Sequence, residues 1–571
     1  MPPKRSSNSP TKRPSKRIRS SIGQTDASTA AYDTGSARLI SAHHLAEHSG
    51  GGATYLSVRE TLRKVEPLKE ASLQQAAQAI FEIIRFRGKD SVTTNSVGWD
   101  PNRETTNQSE TLALQQSVRS LPEETANRLL SAVLRLSYQA LQLPNDPGVS
   151  VLAIAAIFFG SRITRLSLSS LSAPTVLLNR IPQCTSLVSL DLSHSPTLRD
   201  NVLSKILTQL PLLETINLKA CLKVGDESIK ALAQASGSTL RVANLSFTAV
   251  ANKGLAALLA SCPTLEILKL EAVGNLNEKN INMIVESSTH SPAARMHIPL
   301  SNLKTLKLKN TLVTDAALGR LLTLCAPTLS RLDISYTLVK SLDIISSAFH
   351  TLPVWNLEKL VASGLPLTPP SLESFFRPLS ERSPEERGRF KILKLGSIPA
   401  SSTKAPGLND AVLDKLLPYW ESLEGLETVS LRGNIYLGKS SEPLYSFMAK
   451  VGSRCKDLDL TSIPIDAVHL EGLLEAVTFD QNGNDHLLPA RLETLVLDST
   501  RIDDRAMIPL GICRKLKALH VAETRISPTF LSTMLEACPD LSVLNLTSCR
   551  GIPVTQRRTF FDSYKKEEVD Q

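Results

Sequence analysis

The sequence predicts an α/β solenoid: about fourteen strand–turn–helix units, a helical N-terminal cap and a disordered basic N-terminal tail. Three observations carry this. The pattern L-x-x-L-x-L recurs along residues 161–550, its copies lie mostly 24 to 29 residues apart and in places 33 to 38, and apolar residues at helical spacing follow each copy.

The stretch from Leu303 to Leu329 shows one whole unit. Leu303, Leu306 and Leu308 form the strand signal, and Thr311 stands at the turn. Leu318, Leu321 and Leu322 recur at helical spacing, Cys325 closes the helix, and Leu329 opens the next strand. A unit of about 26 residues cannot bury its own apolar face, so it must stack on copies of itself. Strand signals open at Ile163, Leu187, Leu213, Leu240, Leu265, Leu303, Leu329, Leu357, Phe390, Leu426, Cys455, Leu492, Leu516 and Leu541. The units at Leu240 and Leu357 are degenerate, with Ala243 and Ala362 in place of core leucines.

The run T-D-x-x-L-x-x-L-x-x-x-C at Thr314 to Cys325, with Cys-Pro before a strand at Cys262-Pro263 and Cys538-Pro539, resembles the ribonuclease-inhibitor-like leucine-rich repeat proteins. The closer resemblance is to their cysteine-containing branch, common among F-box proteins. It implies a horseshoe-shaped solenoid over residues 160 to 550. It says little about function, because such solenoids serve many roles.

Composition agrees with a leucine-filled interior: 42% of residues are hydrophobic but only 4% aromatic. Cys184, Cys262, Cys325, Cys513 and Cys538 sit three or four residues before a strand position. Cys221 and Cys549 stand at the turn, and Cys455 replaces a strand leucine. All eight have a packing role on this reading, and none forms a C-x-x-C pair, which argues against zinc and for a reducing compartment. The basic, polar start is unlike a secretory leader. The longest apolar run, Val151 to Phe159, is shorter than the roughly 20 residues a membrane helix needs.

Residues 1–53 are rich in Ser, Thr, Gly, Pro and basic residues and are expected to be disordered. Lys4, Arg5, Lys12, Arg13, Lys16, Arg17 and Arg19 supply seven of the positive charges behind the net +9. Lys4-Arg5, a ten-residue spacer and Lys16-Arg17-Ile18-Arg19 resemble a bipartite nuclear import signal, so a nuclear protein is expected. An arm for nucleic acid is the competing reading of the same charges. His44-Leu45-Ala46-Glu47-His48 matches the H-x-x-E-H metalloprotease pattern, but Ser49-Gly50-Gly51-Gly52 follows directly and no folded domain is expected around it.

Residues 54–87 read as a helical segment with the apolar stripe Leu73, Ala76, Ala77, Ile80, Phe81 and Ile84, and 88–111 as a linker. Residues 112–160 read as a helical cap over the open end of the first repeat, ending in Val151 to Phe159. Leu121-Pro122-Glu123-Glu124 followed by Leu129, Leu130, Val133 and Leu134 resembles the opening of an F-box. On that resemblance Leu121, Pro122, Leu129 and Val133 would contact a cullin-ligase adaptor. The downstream pattern departs: Asn145-Asp146-Pro147-Gly148 intervenes and no Trp precedes the repeats. Residues 551–571 read as a C-terminal cap and tail.

No phosphate loop or nucleophile elbow appears, so the reading is a non-enzyme without metal or cofactor. Strand residues alternate, which turns those between the leucines outward onto the concave face. Lys219, Lys269, Lys307, Lys309, Arg331, Lys359, Lys394 and Arg432 fall at these positions, and Asp457, Asp459 and Asp498 follow later. A protein partner, one with an acidic patch, is therefore expected on this face. The four longest insertions, Ser287 to Pro299, Arg377 to Arg389, Ser397 to Gly407 and Thr478 to Ala490, read as polar loops. Narrower readings are a substrate-recognition subunit of an SCF-type ubiquitin ligase and a regulator of a nuclear GTPase. The face lacks aromatics interleaved for stacking on bases, which leaves nucleic acid to the tail.

Overall fold

The computed structural model describes residues 55–57, 72–82, 112–141, 151–160, 162–289, 300–399, 407–479, 485–487 and 490–555, apart from a few isolated positions. The basic clusters at Lys4 to Arg19 and His44 to His48 lie outside the described residues.

Fourteen three-residue strands, from Arg165–Ser167 to Val543–Asn545, pair in sequence order as one parallel sheet. Each begins two residues after the apolar residue or cysteine predicted to open its unit. The register is uniform, so the central residues stack in one row: Leu268 beside Leu306, Leu306 beside Leu332, Leu332 beside Leu360. These leucines are buried on the helix side. A fully buried leucine contributes roughly 1.5–3 kcal/mol, so the row is a main source of cohesion. Ala243 and Ala362 stand in the same row and are also buried.

The T-D pattern has a physical cause here. Aspartates in the first turn of several helices accept hydrogen bonds from the next repeat. Asp200 takes the backbone N–H groups of Glu227 and Ser228, Asp315 those of Lys340 and Ser341, Asp410 those of Gly438, Lys439 and Ser440, and Asp504 that of Ser527. The carboxylate also faces the positive end of its own helix. At the turn position, the buried hydroxyls of Thr248, Thr311, Thr337, Thr500 and Thr524 donate to the carbonyl three residues earlier at 2.6–2.7 Å. The residue before that position has positive φ in every repeat, from Ser170 through Asn310, Tyr336 and Gly364 to Ser548.

Aromatic residues, few overall, are concentrated in the seventh to tenth repeats. Phe349, Trp355, Phe375, Phe376, Trp420 and Phe447 follow one another at centroid distances of 5.1–6.0 Å. All are fully buried, so the interior is not filled by leucine alone.

Two insertions differ from the expected loops. Arg377 to Arg389 continues the helix Pro369–Ser380 and adds a second one, Pro384–Arg389, with a Ser383–Glu386 capping box. Glu386 accepts from the Trp355 N–H at 2.7 Å and lies 3.6 Å from Arg382. Thr478 to Ala490 carries a hairpin in which Val477–Phe479 pairs antiparallel with Asp485–Leu487. Most of the inserted residues in the other two stretches lie outside the described residues.

In the cap, residues 72–82 are helical; Ala77, Ile80 and Phe81 are buried, while Ala76 is exposed. Tyr55–Ser57 is a strand, not part of a helix. Two helices follow, residues 112–120 and Glu123–Leu141, and the second begins directly after Pro122. Val151–Phe158 is helical, with Ile154, Ala155, Ile157 and Phe158 in the core.

Candidate protein-binding face

The open face of the sheet carries three rows of side chains. The first and third residues of each strand make two rows, and the residue two positions beyond the strand makes the third. The eight predicted cations occupy all three rows: Arg331 and Lys359 in the first, Lys269, Lys307 and Lys394 in the second, Lys219, Lys309 and Arg432 in the third. Arg331 is exposed and the other seven are half-buried.

Register brings like charges together. Lys269 stands directly beside Lys307, and Arg331 beside Lys359. Neighbouring strands lie about 4.8 Å apart, and like charges directly opposite destabilise a sheet. Acids stand among these cations. Lys309 pairs with Glu271 at 3.3 Å, Arg331 approaches Glu358 at 3.8 Å, and Asp333 is the registered neighbour of Lys307. Over the fifth to ninth repeats the three rows hold six cations against the two acids Glu271 and Asp333.

From the eleventh repeat the sign reverses. The Thr428 hydroxyl donates to Asp457 at 3.0 Å, and the Ser430 and Thr461 hydroxyls donate to Asp459 at 2.9 and 2.6 Å. Asp498 accepts from the Ala522 N–H at 2.7 Å. Burial pushes the Asp498 carboxyl up to about 6; that hydrogen bond opposes the rise, Asp459 and Glu523 add to it, and Arg432 opposes it. Burial pushes His520 down to about 4, against a weaker pull from Asp459. Not every outward position reaches solvent: Thr305, Asp333, Val361, Ser430, Val496 and Asn545 are buried among their neighbours.

Leu129 and Val133, proposed from the sequence as an adaptor surface, are 3% and 0% exposed and lie in the core. Leu121 packs against that core, and Pro122 is exposed. The helix turns its apolar stripe inward because the first repeat needs a cover.

The eight cysteines are free and buried. Burial pushes the thiols of Cys262, Cys325, Cys455 and Cys513 up to about 12, so they stay protonated at neutral pH and are poor nucleophiles. Among the described residues no group of three His, Cys, Asp or Glu converges as metal ligands would.

Two surface features escaped the sequence reading. One is an edge of alternating charge just before the strands: Glu214, Arg241, Glu266 and Lys304, then Glu358, Lys391, Glu427, Lys456, Glu493 and Lys517. Glu266 pairs with both Arg241 and Lys304, Glu427 with Lys456 at 3.2 Å, and Glu493 with Lys517 at 2.6 Å. Its signal was available, since these residues follow the opening apolar residue of each unit. The other is an apolar rim after the strands at Leu312, Tyr336 and Leu338, which are 47–50% exposed.

One three-residue strand, one left-handed turn and one helix per unit define a leucine-rich repeat solenoid protein. Solved structures of similar fold include the Rad7 and Elc1 complex of yeast, at 15% identity and a TM-score of 0.41, covering 81% of this chain and 96% of that one. An internalin of Listeria monocytogenes is similar at 16% identity and a TM-score of 0.38, over 71% of this chain and 91% of that one. A leucine-rich repeat protein of Leptospira interrogans is similar at 16% and 0.37, over 75% and 92%. These likenesses concern the fold alone. No protein-family model matches the chain, and no curated protein matches it in sequence.

Proposed function

We propose that this protein is a binding scaffold that captures a partner protein on the open strand face of repeats three to ten, and that the partner presents an acidic patch there. The observation behind this reading is the pairing of like charges in register, Lys269 beside Lys307 and Arg331 beside Lys359. An acidic partner complements this run of cations on docking. The test is the triple variant Lys269→Glu/Lys307→Glu/Lys394→Glu, compared with wild type in quantitative affinity purification. Because Lys307→Glu faces the buried Asp333, the melting temperature is read first and the double variant Lys269→Glu/Lys394→Glu is measured beside it. The main interactors should be lost, and wild-type capture should weaken with salt. Undiminished capture by the folded variant rejects the face.

A substrate-recognition subunit of an SCF-type ubiquitin ligase would use the same face and bind an adaptor through the cap. Such a contact would need the exposed Pro122 and Glu124 side of the helix, because Leu129 and Val133 are buried. Co-purification of a cullin and its adaptor, lost in Pro122→Ser/Glu124→Lys, would be the sign of it. The basic tail fits the same picture as a nuclear import signal for the scaffold.

A further inference from the structure

The apolar rim lies next to the basic rows. In each repeat the left-handed residue follows the third row directly, and the rim position comes two residues later: Lys309, Asn310, Thr311, Leu312 in the sixth repeat, and Ser335, Tyr336, Thr337, Leu338 in the seventh. Equivalent rim positions elsewhere hold Pro196, Ala249, Gly274, Pro366, Pro399 and Pro464, or arginines at the far end; Leu222 and Ile435 stand alone. Among the described residues, only the sixth and seventh repeats put large apolar residues at neighbouring rim positions; Leu338 donates its N–H to the Val313 carbonyl at 2.9 Å, a tie between loops that recurs at Ala249 and Arg525.

Tyr336 joins them from an unusual backbone. Its φ is +55°, in a region that bulky residues rarely adopt, where the preceding repeat has Asn310 and the following one Gly364. The chain makes room for the ring: a Cβ on Gly364 would come within 2.4 Å of Tyr336 Cδ1 and Cε1. The ring therefore lies on the Gly364 backbone and is still 50% exposed. A lone exposed leucine needs no explanation, but three half-exposed apolar side chains on the loops of two neighbouring repeats, beside a charged face, match the apolar-core and polar-rim composition of an interface.

We propose that Leu312, Tyr336 and Leu338 are the anchor of the interface, seating a large apolar side chain of an acidic partner segment whose carboxylates lie over Lys307, Lys309, Arg331 and Lys359. The occupant is a protein segment combining both features, since the anchor adjoins the most basic part of the face. This rests on the reading of the open face as the binding surface.

A library of random twelve-residue peptides displayed on phage is panned against the purified full chain. The expected winners combine several Asp or Glu with Trp, Phe or Leu. One winner, made with a fluorescent label, is then titrated by anisotropy. Leu312→Ser/Tyr336→Asn/Leu338→Ser should weaken it about tenfold or more. Asn is the residue the preceding repeat places at that φ, so folding is expected to hold. The double variant Leu312→Ser/Leu338→Ser, which leaves the Tyr336–Gly364 contact alone, is measured beside it and should weaken binding too. Equal affinity of both variants for an acidic winner that the triple Glu variant loses overturns the anchor and leaves the face. Winners indifferent to the triple Glu variant overturn both. Winners without acids or without large apolar residues, or no winners, overturn the anchor.

Discussion

Replacing Glu123 with Ala should loosen the first repeat. Along the sheet, one carbonyl just before each strand accepts two N–H groups from the following repeat: Thr164 O takes those of Val188 and Ser189 at 2.7 and 2.9 Å, and Val188 O those of Glu214 and Thr215 at 2.8 and 3.0 Å. The first repeat has no predecessor. There Glu123 Oε1 accepts from the N–H groups of Thr164 and Arg165 at 2.8 and 2.9 Å and from the Thr164 hydroxyl. A carboxylate stands in for the missing carbonyl. Burial pushes the Glu123 carboxyl up, but these hydrogen bonds outweigh it and hold the group below its ordinary value of 4.5. Because the side chain is exposed, water replaces part of what Ala removes, and the cost is about 1–2 kcal/mol. Repeats couple mainly to their neighbours, so the loss stays local. Hydrogen exchange at Thr164 and Arg165 should speed up about tenfold, while repeats beyond the fourth keep their protection. A depressed carboxyl contributes stability above its unfolded pKa and loses it as pH falls through the folded value, so the difference between wild type and variant should shrink as pH falls below the ordinary value of 4.5. Glu123→Gln keeps one acceptor and should fall between. Unchanged exchange at both amides in the Ala variant would refute the surrogate-carbonyl account.

Asp498→Asn should raise the melting temperature at pH 7.5. The raised carboxyl favours its protonated form in the fold, so its stability deficit is complete above about pH 6 and shrinks as pH falls towards the unfolded value; the gain is about 3 kcal/mol at most and smaller at pH 5. The Asn oxygen can still accept the Ala522 N–H, and His520, which titrates in both proteins, cancels from the comparison; thermal melts showing equal gain at both pH values would contradict the ionisation argument. Deleting residues 1–20, which carry Lys4, Arg5, Lys16, Arg17 and Arg19, should shift a fluorescent fusion from nucleus to cytoplasm without altering the melting temperature. Persistent nuclear signal would remove the import reading.

The strands were legible because one physical demand, burying alternate leucines, repeats at every unit. All fourteen begin two residues after the predicted opening. The left-handed turns were not legible. Residues such as Ala220, Phe247 and Tyr336 do not favour positive φ, and the bond that holds them, Tyr336 N–H to the Ser363 carbonyl at 2.8 Å, comes from the next repeat. The Glu123 contact was hidden likewise, its partners lying 41 and 42 residues away. The helix Pro384–Arg389 carried a signal that the reading of its stretch as a polar loop passed over. Ser383, Pro384 and Glu386 are a capping box with proline at the first helical position, a helix-start signal. For the binding face, alternation identified the outward cations, but burial of Asp333 and Val361 among them depends on packing across strands.

The two charged surfaces of the sheet arrange charge differently, and the proposed acidic partner would account for the difference. Along the edge before the strands, Glu214, Arg241, Glu266 and Lys304 alternate in sign, as do Glu358 through Lys517. Exposed pairs of this kind contribute at most about 1 kcal/mol each, but they favour the native register, because a shift by one repeat would set like against like. The chain thus cancels charge between neighbouring repeats where nothing but register is at stake. On the open face, a few ångströms away in the same strands, Lys269 stays beside Lys307 and Arg331 beside Lys359. Folding alone would favour the alternation seen on the edge. The reversal to Asp457, Asp459 and Asp498 gives the face a direction, so on the proposed reading an acidic segment would favour the middle repeats over the later ones.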